Sequence, residues 1–104
     1  MTRIVWVVNP KGHDMSAAEA FGELRTIWED KGQNPFGLDL RLEELKNKLS
    51  GMAKAQDLVL LSGSLVLNSL TTGYFLKYFG QVNLLIYSHT RDDYEQRQLR
   101  TEDL

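Results

Sequence analysis

The chain has 104 residues, 42% hydrophobic and 25% charged, enough for one core, too few for two, and too apolar for a disordered segment. Its 12 Lys and Arg against 14 Asp and Glu leave a formal charge of −2, which excludes a protein whose main task is covering duplex phosphate. Without cysteine there is no disulfide framework, thiolate nucleophile or thiolate metal site.

No apolar run approaches the ~20 residues of a membrane span. Residues Met1 to Pro10 also lack the basic start, long apolar stretch and small-residue cleavage site of a signal peptide, so the expected location is cytoplasmic and no membrane partner is expected. No repeat, low-complexity block or charge run marks a linker, and a single domain over 1–104 is expected.

In chain order, "RIVWVVN", Arg3 to Asn9, is a continuous β-branched and aromatic run, the mark of a central strand covered on both faces. "NPKGHD" interrupts it, and Ser16 with Glu19 spells a capping box opening a short helix to about Phe21. "ELRTIWE", Glu23 to Glu29, mixes apolar and polar residues and suits an edge strand. "DKGQNPFG" is turn chemistry. Leu38, Leu42, Leu45 and Leu49 then recur at helical intervals, with Gly51 in the place of a helix C-cap.

"DLVLL", Asp57 to Leu61, is a second buried strand, and a helix from near Ser64 runs until Gly80 stops it. Gly73 inside that helix is expected to allow close packing on the sheet. Tyr74, Phe75, Tyr78 and Phe79 spread around the same helix, more than one buried face needs. "QVNLLIYS", Gln81 to Ser88, is a third buried strand, followed from about residue 89 by a polar tail in which Tyr94 to Leu99 has the length of a short strand. Strands alternating with helices predict an α/β, three-layer Rossmann-like fold: a mainly parallel four-stranded sheet, order 2-1-3-4.

In that order the chain leaves the first and third strands in opposite directions, so their C-terminal ends form the switch point where open α/β sheets bind ligands. Two loops are expected there. Ser62-Gly63-Ser64 ends the third strand and opens a helix, and it has two readings. It forms an anion cradle of converging N–H groups and hydroxyls, or Ser64 is a helix N-cap with Gly63 relieving a tight turn.

The other loop brings Asn9, Lys11, Gly12, His13 and Asp14. A histidine serves as acid or base, a lysine neutralises phosphate, and a neighbouring carboxylate orients the imidazole. Against this, Asp14 merely begins a helix and the His-Asp pair is incidental. Asn68, one turn after Ser64, reaches the pocket mouth or satisfies a backbone group. Beyond the last strand, Ser88, His89, Arg91, Tyr94 and Arg97 offer groups that stack on a base or fork onto phosphate; Asp92, Asp93 and Glu95 read as a solvated tail.

His13 and His89 lack paired ligand spacing, so no zinc site is expected; an oxygen-ligated magnesium would leave no such spacing. No cofactor is implied. The dinucleotide G-x-G-x-x-G, the P-loop and the G-x-S-x-G elbow are all absent.

"VVNPKGHD", "LLSGS", Asn68 and "LLIYSHTRDDYEQR" resemble a set of small, mostly uncharacterised phage and bacterial proteins with G-H-D and S-G-S loops. In layout, with Asn9-Pro10-Lys11-Gly12 and Ser62-Gly63-Ser64 at the analogous positions, the chain is also similar to small CRISPR-associated ring nucleases related to CARF domains. That similarity implies a homodimer and a nucleotide-like ligand, for example a cyclic oligonucleotide.

The leading expectation is therefore a homodimer binding a phosphorylated, nucleotide-like ligand at the C-terminal edge of strands one and three. Ser62, Gly63 and Ser64 would hold phosphate, Lys11 and Arg97 would neutralise it, and Tyr94 would stack. Should cleavage occur without metal, His13 and Lys11 are the catalytic candidates, with a ribose 2′-hydroxyl attacking. The rival, of another class, is a non-catalytic sequestering or protein-interaction module such as a phage accessory protein.

Overall fold

In a computed structural model that describes residues 3–29 and 36–104, the apolar runs become strands β1 (Ile4–Val7), β3 (Leu58–Leu60) and β4 (Gln81–Ser88), and β2 (Glu23–Thr26) stands outside β1. Helices α1 (Leu38–Leu49) and α2 (Leu65–Phe79) follow β2 and β3. The expected turn at 30–37 lies outside the described residues except for its last two positions. The sheet order is β2-β1-β3-β4-β5, with every pair parallel except β4–β5. The expected order 2-1-3-4 is thus present, extended by a fifth strand.

That strand, β5 (Asp93–Arg100), is the short strand expected within the polar tail at Tyr94 to Leu99, one residue longer at each end; it pairs along all eight residues of β4, from Ser88↔Asp93 to Gln81↔Arg100. Its signal in the sequence is weak for a physical reason. It lies at the sheet edge, where neither face has to be continuously apolar, so only Tyr94 and Leu99 carry hydrophobic side chains.

The three expected layers are present but unequal. Trp6, Val8, Val59 and Val82 pack beneath Leu45 and Leu49 of α1 and Leu67 and Phe75 of α2. Thr71 sits on the buried stripe of α2 and satisfies its hydroxyl by donating to Leu67 O at 2.9 Å. The opposite face, Val5, Val7, Leu58, Leu60 and Leu85, is covered by Ala18 with Met15, Phe21, Leu24 and Tyr94. Right-handed crossovers explain the arrangement: the chain steps outward from β1 to β2 on one face, reverses direction, and must return over the other face with both helices.

The outward connection is a 3-10 helix, Ser16–Phe21, and the expected capping box is not used. Met15 stands at the N-cap without a side-chain bond, because the Asp14 carboxylate already accepts the Ser16 N–H at 2.9 Å. Helix α1 stops at Ser50 rather than on Gly51, whereas α2 ends as expected, with Gly80 in the left-handed region at φ 71°. Gly73 packs against nothing: a Cβ there meets no atom within 4 Å.

At the N-terminal end of the sheet, the fully buried Asp57 joins strands. Its carboxylate accepts from Ile4 N at 3.0 Å, Trp6 Nε1 at 3.0 Å and Lys54 N at 2.9 Å, which satisfies a charge that burial would otherwise penalise heavily.

Candidate functional site

At the opposite end of the strands, β1 runs into Asn9, which is buried. Its N–H donates to Ser62 Oγ at 3.1 Å, and its Nδ2 donates to Trp28 O at 2.7 Å, so it ties β1 to both neighbouring connections. A tight turn follows, closed by His13 N donating to Pro10 O at 3.0 Å, with Lys11 at φ 52° and Gly12 at φ 82°. Positive φ at both central positions is the type I′ signature. The turn leaves Lys11, Gly12, His13 and Asp14 exposed.

The Ser-Gly-Ser loop closes against this segment. Gly63 has φ 71°, and a Cβ on it would lie 2.3 Å from Asn9 O and 2.6 Å from Asn9 Oδ1, so glycine is required by both conformation and space. Ser62 Oγ accepts from Asn9 N and contacts Leu60 O at 3.2 Å. Ser64 caps α2, its hydroxyl accepting from Leu67 N at 3.4 Å. Asn68 holds the loop from within: Oδ1 accepts from Ser62 N at 3.0 Å, and Nδ2 donates to Ser62 O at 2.9 Å and Ser64 O at 2.7 Å. The hydroxyls and the amide therefore serve the loop itself.

Beside that loop, on the face covered by the short 3-10 helix, lies a cleft of about 790 Å³. His13, Asp14, Met15, Ser62 and Gly63 reach it from the two switch-point loops, and Tyr87, His89, Asp92, Asp93 and Tyr94 from the β4–β5 hairpin. Tyr94 is its centre, edge-on to Phe21 (centroids 6.2 Å) and Tyr87 (5.4 Å), with its hydroxyl 3.8 Å from Met15 Sδ. Tyr87 stacks edge-on with His89 at 4.8 Å and donates its hydroxyl proton to Asp92.

Charge in the cleft is one-sided. Asp14, Asp92 and Asp93 line it, and among the described residues no Lys or Arg does, although Arg91 pairs with Asp93 from outside at 3.3 Å. The Ser16 N–H and hydroxyl hold the Asp14 carboxyl below its ordinary pKa. The hydrogen bond to Asp92, then desolvation and neighbouring charge, raise the Tyr87 phenol; desolvation, then the charge of Asp14, raises Tyr94.

Of the residues expected at the site, the cleft brings together His13, Asp14, Ser62, Gly63 and Tyr94. Asn9, Lys11, Gly12, Ser64, Asn68 and Arg97 do not line it. Arg97 is three residues from Tyr94, so the pleat puts it on the opposite face of β5, where it pairs with Glu95 at 2.9 Å. Sequence reasoning missed Tyr87. The available signal was that Tyr87 shares a face with Leu85, two positions earlier in a buried strand. Asp92 and Asp93, read as solvated, are exposed, Asp93 pairing with Arg91 at 3.3 Å, and they line the cleft from its rim. Among the described residues, no group of three or more His, Asp or Glu is arranged to hold a metal ion, and no helix is long and apolar enough to cross a membrane.

This architecture, a mostly parallel five-stranded α/β sheet with an aromatic, acid-lined cleft at its switch point, defines the class of protein. Residues 4–101 match the family model described as phage Pam3 gp32-like protein, and the chain belongs to that family. No curated protein and no solved structure matches it.

Proposed function

We propose that the protein is a phage-encoded binding module whose cleft recognises a positively charged segment of a partner protein. The observation that supports this reading is the lining: Asp14, Asp92 and Asp93 stand around Tyr87 and Tyr94, with no Lys or Arg among the described lining residues and only Asp93 of the three paired with an arginine, Arg91. Such a surface attracts an ammonium or guanidinium group by Coulomb interaction, and Tyr87 and Tyr94 add ring faces suited to a cation. Asp14 stays anionic over the working pH range because its carboxyl is stabilised by Ser16.

A second reading, in which a nucleotide-like ligand binds near the same edge, draws support from the glycine loop opening α2 and from His13, Tyr87 and Tyr94 in one cleft. The likeness in layout to ring nucleases points the same way, and His13 is its acid–base candidate. It is the weaker reading because Ser62, Ser64 and Asn68 are engaged within the loop and Lys11 and Arg97 do not line the cleft.

Thermal stability separates the two, since a ligand that binds only the folded state raises the melting temperature. Lys- and Arg-containing peptides are expected to raise it, and Asp93→Asn with Asp92→Asn to remove the effect. A rise with mononucleotides, dinucleotides or cyclic oligonucleotides, lost on Lys11→Ala, transfers the assignment to the second reading. In that case His13→Ala should abolish turnover while leaving binding.

A further inference from the structure

Strand β5 is a terminal strand of the sheet, and among the described residues no strand pairs along its outer side. The other edge, β2, has four residues; β5 has eight. A long edge exposes a row of N–H and C=O groups, which proteins usually blunt with proline, a bulge or charged side chains, lysine above all. "DYEQRQLR" contains no proline, glycine or lysine, and its four charges, Asp93, Glu95, Arg97 and Arg100, are two of each sign, so they do not repel an antiparallel copy of their own.

The phase of its hydrogen bonding follows from one contact. Thr101 N donates to Gly80 O at 2.9 Å, continuing the β4–β5 ladder beyond Gln81↔Arg100. Backbone groups in such a ladder alternate between the two sides. Leu99, Arg97 and Glu95 therefore turn theirs toward β4, and Arg100, Gln98, Gln96 and Tyr94 turn theirs outward.

A second copy of β5, antiparallel about a two-fold axis normal to the sheet, must pair residues that share a face. With Gln96 opposite Gln96, the outward groups of Gln96, Tyr94 and Gln98 meet once Arg97 Nη1 releases Gln96 O, to which it donates at 3.1 Å within the chain. Glu95, paired within the chain with Arg97 at 2.9 Å and Arg91 at 3.2 Å, falls opposite Arg97 of the second copy twice, at the closer non-hydrogen-bonded positions. Sliding one step in either direction puts Arg97 against Arg97 or Glu95 against Glu95 on the axis. Of these three registers, charge favours the one centred on Gln96.

We infer that β5 is a self-association edge that joins two chains into a continuous ten-stranded sheet, with Gln96 on the two-fold axis. The two clefts then open at opposite ends of one face, each complete within its own chain. The interface does not depend on what the cleft binds.

Because the chain has no cysteine, a single introduced one reports on the register. In the full-length protein, Gln96→Cys puts two Cα atoms about 5.5 Å apart across the axis, within the reach of a disulfide; Gln98→Cys puts them about 13 Å apart. Light scattering on a sizing column is expected to give twice the mass of one chain, and mild oxidation to trap Gln96→Cys as a reducible dimer but not Gln98→Cys. Glu95→Arg should return the protein to monomer at the same concentration, and Glu95→Arg with Arg97→Glu should restore the dimer, near-ultraviolet circular dichroism checking that each variant is folded. Monomer mass at all concentrations, equal trapping of both cysteines, or a dimer indifferent to Glu95→Arg would overturn the inference.

Discussion

On one face of the sheet, Trp6, Val59 and Val82 lie beneath two helices that contribute Leu45, Leu49, Leu67 and Phe75. On the other, Val5, Val7, Leu58 and Leu60 are covered by a six-residue 3-10 helix and the ring of Tyr94. Both faces are equally apolar in sequence, but a helix of 12 or 15 residues shields the length of a strand, while a six-residue turn does not. The space left beside the short cover is the cleft. The cleft comes from incomplete coverage of a core, with the β4–β5 hairpin supplying the missing wall.

The sharpest way to break that comparison is to truncate one aromatic on each face. Phe75→Ala is expected to lower unfolding free energy by about 3–5 kcal/mol, and Phe21→Ala, only partly buried, by about 1 kcal/mol. Equal losses in urea titrations would mean that the thin face carries as much of the core as the thick one. Next comes the loop at the junction. Gly63→Ala forces a Cβ onto the Asn9 backbone at a positive φ and should cost about 2 kcal/mol or more. Gly12→Ala meets no atom within 4 Å and should cost about 1 kcal/mol.

Within the same loop, Asn68→Ala removes three hydrogen bonds and is expected to cost about 2 kcal/mol. Ser64→Ala, which removes one cap bond, should cost about 1 kcal/mol. A reversed order would show that the cap, rather than the amide, holds the loop.

The smallest effect is one of pH. The phenols of Tyr87 and Tyr94 are raised above their ordinary value of 10.0 in the fold, so the folded state retains protons that the unfolded chain loses. Their contribution is fully present below the unfolded value and is lost as pH rises through the folded values. Stability measured from pH 8 to 11 should fall at the alkaline end, less steeply in Tyr87→Phe; an unchanged slope would detach the Tyr87–Asp92 contact from stability.

Much of the order of elements was legible, because β1, β3 and β4 are covered on both faces and therefore read as unbroken apolar runs. Gly80 was legible as the end of α2 because a left-handed C-cap favours glycine on local grounds. The cleft was half legible. His13, Asp14, Ser62 and Gly63 sit at strand ends, whose position follows from topology, whereas Tyr87 and the two aspartates reach the cleft through a hairpin that polar alternation did not announce.

The sequence by itself determined the parallel α/β core, its strand order from β1 to β4 and the convergence of two loops at one edge, since these rest on periodicity, chain direction and crossover handedness. Tertiary structure decided how those loops are held together. Whether Ser62, Ser64 and Asn68 face a ligand or one another depends on where Asn9 lies across the strand gap, and that β5 is a strand depends on β4 being there to pair with it. Pairing partners distant along the chain satisfy polar groups in ways that no local pattern encodes.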